Sequence, residues 1–112
     1  SVILAVMASG LNGQSFAFNG YLPVKPPERV QAIRRFERRA HAEGQSQLFI
    51  EAPYRNVKLM EQLLQTLAPE TRLTVAMDIT APGEFIRTLR VREWRAAELP
   101  AMNKRPAIFI IG

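Results

Sequence analysis

The chain has 112 residues, room for one domain with a single hydrophobic core and little else. Apolar residues make up 47% of it, and 15 lysines and arginines against 10 acidic residues leave a net charge of +5, which suits an anionic partner such as RNA without identifying one. It has no cysteine, which excludes a disulfide frame, a thiolate nucleophile and any cysteine-based metal site.

Val2 to Leu11 (VILAVMASGL) is apolar on most sides and stops at Gly10, the pattern of a buried helix. Ser1 to Leu11 lacks an initiator Met and a basic leader, and falls short of the ~20 apolar residues that span a bilayer. No membrane segment is therefore expected, and the abrupt apolar start reads as a boundary inside a longer protein. Ser15 to Tyr21 puts Phe16 and Phe18 on one face, a short strand. Pro26 and Pro27 open the clearest helix, which Gly44 closes. Val30, Ile33, Phe36 and Ala40 share one of its faces, while Arg29, Arg34, Arg35, Arg38 and Arg39 fall mostly elsewhere. Gln47 to Glu51 is a compact apolar strand. Asn56 to Leu67 forms a second amphipathic helix on Val57, Met60, Leu63, Leu64 and Leu67. Strands are expected over Arg72 to Ile79, over Phe85 to Val91 (near an edge, because arginine recurs in it) and over Pro106 to Ile111, whose unbroken apolar run predicts burial on both faces. Between the last two, Arg92 to Leu99 carries Trp94 on a short helix. Alternation of this kind predicts an α/β fold, a single α/β/α layered domain with a mixed, mostly five-stranded sheet.

The junction Glu51-Ala52-Pro53-Tyr54-Arg55-Asn56 leaves a strand and enters a helix, where ligands of open α/β sheets collect. Two readings of it stand open. Glu51 and Arg55 pair while Pro53 starts the helix and Asn56 caps it, or Arg55, a cation set against the helix dipole, faces a bound anion. On the long helix Glu28, Glu37 and Glu43 lie among the arginines, so a solvated face is the simpler reading and an RNA surface the sharper one. His41 is the only histidine, so no metal site is expected. No serine sits in a nucleophile elbow, and no glycine-rich phosphate loop of a common type is present. The residues by themselves describe an α/β domain with a possible ligand edge.

Three stretches go further. Ala8-Ser9-Gly10-Leu11 with Phe18-Asn19-Gly20-Tyr21-Leu22-Pro23, then Glu51-Ala52-Pro53-Tyr54-Arg55, then Asp78-Ile79-Thr80 through Glu84 with the closing Pro106-to-Gly112 strand, occur in one order. Together they resemble the signature of the 16S ribosomal RNA methyltransferase I group of the tetrapyrrole (corrin/porphyrin) methylase family, with Ala52 where that family carries Ser or Thr. The resemblance covers residues 1–112 as the C-terminal domain of a two-domain enzyme, with Ser1 closing a segment that follows the interdomain linker. It implies S-adenosyl-L-methionine bound in a cleft between this domain and an N-terminal domain that carries the catalytic residues. It places Glu51, Ala52, Pro53, Thr80 and Ala107 on the cofactor, and Arg55 on substrate or on Glu51. It also implies a cytoplasmic homodimer that methylates a ribose 2'-hydroxyl of ribosomal RNA, or alternatively a tetrapyrrole. A non-catalytic RNA-binding or dimerisation module is the remaining expectation.

Overall fold

The computed structural model describes residues 4–5, 9–11 and 15–112. Five strands form one sheet: β1 (Phe16–Tyr21), β2 (Ser46–Ile50), β3 (Arg72–Met77), β4 (Phe85–Arg90) and β5 (Ala107–Ile111), in the order β1-β2-β5-β3-β4. β1 runs parallel to β2, and β5 lies antiparallel between β2 and β3, so the carboxyl ends of β1, β2 and β3 meet at one edge. β4 is an edge strand and β5 is central and almost wholly buried, as their arginine content and apolar run predict.

Helices α1 (Pro26–Glu43), α2 (Asn56–Thr66) and α3 (Val91–Ala96) cover one face. Proline at the first positions and Gly44 in the left-handed conformation (φ 60°) bound α1, the asymmetry that its sequence announces. Phe36 stacks on Phe49 and Phe49 on Phe109, with centroids 6.2 and 5.9 Å apart, tying α1 to β2 and β5. Trp94 donates its indole N–H to the Leu73 carbonyl (2.8 Å), which satisfies the one polar atom of a buried ring. On the opposite face Ala5 packs with Leu48, Ala76 and Ile110. Leu4, Ala5 and Ser9 of the predicted first helix are helical, and its residues 2–3 and 6–8 lie outside the described ones. The result is the mixed five-stranded α/β/α sandwich expected.

Three details differ from the pattern-based expectation. β3 stops at Met77 instead of Ile79, because Asp78 (φ 49°) and Thr80 (φ 66°) turn the backbone into the left-handed region. On α2 the buried side is Asn56, Leu59, Met60 and Leu63, leaving Val57 exposed and Leu64 on the flank. Asn56 is not the N-cap of α2: it is the first helical residue, its backbone N–H closes the preceding 3-10 turn (Pro53–Arg55) on the Pro53 carbonyl, and its buried side-chain amide donates to the Arg105 carbonyl.

Candidate functional site

The strand ends open into a cleft of about 490 Å³. Tyr21 borders it from β1, Ile50, Glu51 and Pro53 from β2 and its exit, Ala76, Asp78, Ile79 and Ala81 from β3 and its exit, and Pro106, Ala107 and Ile108 from the start of β5. Carboxyl ends of parallel strands leave backbone groups unpaired, and this is the edge where α/β sheets take ligands. Its volume falls in the range of small-molecule sites, and its walls are mainly apolar.

Glu51 is the electrostatic hub of this edge. Its side chain is 1% exposed and receives Arg29 on Oε2 and both the Ala52 N–H (2.8 Å) and Arg55 Nε (3.2 Å) on Oε1. A buried carboxylate survives only with such partners. Arg29 is equally buried, and donates also to the Pro23 carbonyl (2.9 Å) and to Gln62 Oε1 (3.0 Å). It stood among the arginines expected mostly off the apolar face of α1. Its spacing from Ile33, Phe36 and Ala40 puts it on that face, and the spacing is the signal that could have found it. Arg55 is one-third exposed and lies over the Tyr54 ring, with its carbon Cζ 4.8 Å from the ring centre, and donates Nη1 to the Tyr54 hydroxyl (2.8 Å). The hydrogen bond to Glu51 raises the Arg55 pKa above its ordinary value.

Arg105 holds the opposite wall. It donates to Asp78 Oδ2 (2.7 Å), to the Ala101 carbonyl (2.7 Å) and to the Gly83 carbonyl, joining the loop after β3 to the loop before β5. Thr80 sits in that β3 loop in a conformation costly for a β-branched residue, its N–H held by Glu84 Oε1 (2.9 Å).

Of the residues that the sequence places at a site, Glu51, Pro53 and Ala107 border the one cleft, although Ala107 also belongs to the core beneath the helices. Ala52 and Thr80 adjoin it in sequence without lining it. The backbone of Ala52 is already engaged: its N–H is taken by Glu51, and its carbonyl accepts the Arg55 N–H (2.8 Å). Arg55 lies instead on a second cleft of about 530 Å³, with Arg29, Lys58 and Gln62 among its other walls.

No protein-family model matches the chain. It is 29% identical to the ribosomal RNA small subunit methyltransferase I of Vibrio cholerae, the match covering 83% of this chain and 31% of that protein. The protein of the same name from Pseudomonas aeruginosa is 26% identical, over 100% of this chain and 39% of its own length, and that of Escherichia coli O157:H7 is 26% identical, over 99% and 37%. The resemblance read from the motifs is borne out. Among solved structures the methyltransferase CobJ superposes with a TM-score of 0.60 at 17% identity, covering 100% of this chain and 47% of that one. Uroporphyrin-III C-methyl transferase from Thermus thermophilus, complexed with S-adenyl homocysteine, gives 0.52 at 21% identity, covering 96% and 48%. These two share the fold. The chain spans between 31% and 39% of the length of these curated relatives.

Proposed function

We propose that the chain forms one wall of the S-adenosyl-L-methionine cleft of a methyltransferase acting on ribosomal RNA. The observation that carries this reading is the cleft at the joined ends of β1, β2, β3 and β5, built by the same strand-end segment that carries the motif. The sequence relatives, named as ribosomal RNA methyltransferases over nearly the whole of this chain, support RNA as substrate over a tetrapyrrole. In this reading a preceding N-terminal domain closes the cleft and supplies the catalytic groups. The assembly is a cytoplasmic homodimer, and a ribose 2'-hydroxyl receives the methyl group.

The residues present fit such a cofactor. Ile50, Ala76 and Ile108 give a flat apolar wall, and the volume suits a nucleoside-sized molecule. When bound, the cofactor supplies an electrophilic methyl group and needs no metal or thiol from the protein. Glu51, its carboxylate engaged by three donors, acts as an anchor for the strand end. Pro53 lies at one wall of the cavity and Ala107 at its floor, while Ala52 and Thr80 belong to the loops that adjoin it.

Calorimetric titration of the chain with S-adenosylhomocysteine tests the proposal. Weak binding that is abolished by Ile108→Glu in the apolar wall, with no methyl transfer by the chain alone, is expected. Turnover by the chain alone would overturn the two-domain reading, and binding indifferent to Ile108→Glu would move the cofactor elsewhere.

A further inference from the structure

The middle turns of α1 carry Arg34, Arg35 and Arg38, which are exposed, and Arg39, which is partly buried, on the side away from the core or on its flanks. Interleaved glutamates would make this an ordinary solvated face, but the structure removes them. Glu37 turns toward the loop between α2 and β3, where its Oε2 accepts the Ala68 N–H (2.8 Å) and the Thr71 hydroxyl (2.6 Å). Glu28 stands in the first turn and Glu43 is the last residue of the helix. Among the described residues none of the four arginines has a carboxylate within ion-pair distance, whereas Arg29, Arg55, Arg90, Arg92 and Arg105 all have one.

The arrangement carries a standing electrostatic penalty. Arg34 and Arg38, and Arg35 and Arg39, form two like-charged rows at the spacing of four residues, which weakens a helix where an acid would strengthen it. Arg35 and Arg39 are also placed in advance, with their guanidinium carbons 5.4 and 6.0 Å from the Phe36 ring centre. Four guanidinium forks in about two turns, all unpaired, suit a row of phosphates, which arginine binds bidentately. The helix leads away from the candidate site: Arg29, at its start, holds Glu51, and the array occupies roughly 8–15 Å farther along the axis at 1.5 Å per residue.

We infer that this face of α1 docks the phosphate backbone of the RNA whose methylation is proposed above, positioning it without reading its sequence. The inference rests on that reading for its choice of anion.

Fluorescence anisotropy of the chain with a labelled RNA hairpin, across a salt series, tests it. Each phosphate contact contributes about 0.7–0.9 to the slope of log K against log salt, so Arg34→Gln with Arg38→Gln should flatten the slope by about 1.4–1.8 and lower affinity at least tenfold at low salt. Arg90→Gln with Arg92→Gln removes the same charge from arginines already paired with Glu70 and should leave the slope nearly unchanged. Both variants should stay folded in thermal unfolding, with the Arg34→Gln and Arg38→Gln pair at least as stable as the parent because a like-charged row is relieved. An unchanged slope, or equal loss in the control pair, overturns the inference, as does binding to anionic lipid vesicles without binding to RNA. Calorimetry with S-adenosylhomocysteine on the same samples separates the two claims: cofactor binding with no arginine effect removes only the docking surface, and RNA binding without cofactor binding removes only the enzymatic reading.

Discussion

The Glu51 hub makes the sharpest stability prediction. Glu51→Gln keeps the volume and can still accept the Ala52 N–H through its oxygen, but it turns an amide donor toward Arg29 and removes the one negative charge among the described residues that the buried guanidinium touches. Removing one partner of a buried pair costs about 3–5 kcal/mol, since the remaining charge stays in a dry site. Arg29 keeps two neutral acceptors, the Pro23 carbonyl and Gln62, which argues for the lower end, about 3 kcal/mol. With a urea dependence of about 1–3 kcal/mol per molar, the unfolding midpoint should fall by roughly 1–3 M. Arg29→Met combined with Glu51→Leu removes both charges and should be less damaging than Glu51→Gln, because an apolar pair of similar size carries no desolvation penalty. Urea titrations followed by Trp94 fluorescence measure both variants. An unshifted midpoint for Glu51→Gln would refute the claim that the carboxylate holds Arg29 in place.

Two further substitutions probe the loops around the cleft. Thr80→Gly removes the side chain that the left-handed conformation disfavours, by about 1–2 kcal/mol, and after the entropy that glycine adds to the unfolded chain should leave it more stable by up to about 1 kcal/mol. A lower melting temperature would show that the side chain of Thr80 makes up for its backbone. Asn56→Ala strips the partly buried Arg105 carbonyl of its donor and should cost about 1 kcal/mol, read as a drop in urea midpoint; no change would mean that carbonyl finds another partner.

Element order and type were legible because hydrophobic period carries them, and the ends of β5 and α1 were marked by a proline and a glycine. What escaped was polar and non-local. Arg29 looked like one more charge on a basic helix, since hydropathy sends charge outward, and its partner lies 22 residues away at the end of a strand. Asn56 stood where helix caps stand, yet its amide ties to a carbonyl 49 residues on, a pairing that no local rule contains. The early stop of β3 depends on Asp78 and Thr80 taking a conformation that threonine rarely adopts, so the sequence there argues for the wrong end. Glu51 and Pro53 were found at the cleft because the strand-to-helix junction is itself local. The distance from Arg55 to that cleft was not, because a residue's side of a strand exit depends on how the following turn is wound.

The position of β5 explains why a cleft exists at all. Residues 51–71 leave β2, build α2 and return as β3, a crossover that would make β2 and β3 neighbours in the simplest sheet. Instead β5 enters between them, antiparallel, pairing Ile50 with Ile108 and Ala76 with Ile108. The two strand exits are thereby held one strand-width further apart, with the start of β5 as a floor between them. Glu51 then stands at one wall and Asp78 at the other, each neutralised by an arginine from outside its own strand. A strand that pairs on both edges cannot move without breaking both ladders, so this floor is the stiffest part of the edge. The walls are loops pinned by guanidiniums, Arg29 and Arg55 on Glu51 and Arg105 on Asp78. Any adjustment to a bound molecule is therefore expected in residues 78–84 and 101–106, where Arg105 alone bridges the two loops with its side chain, and not in the floor.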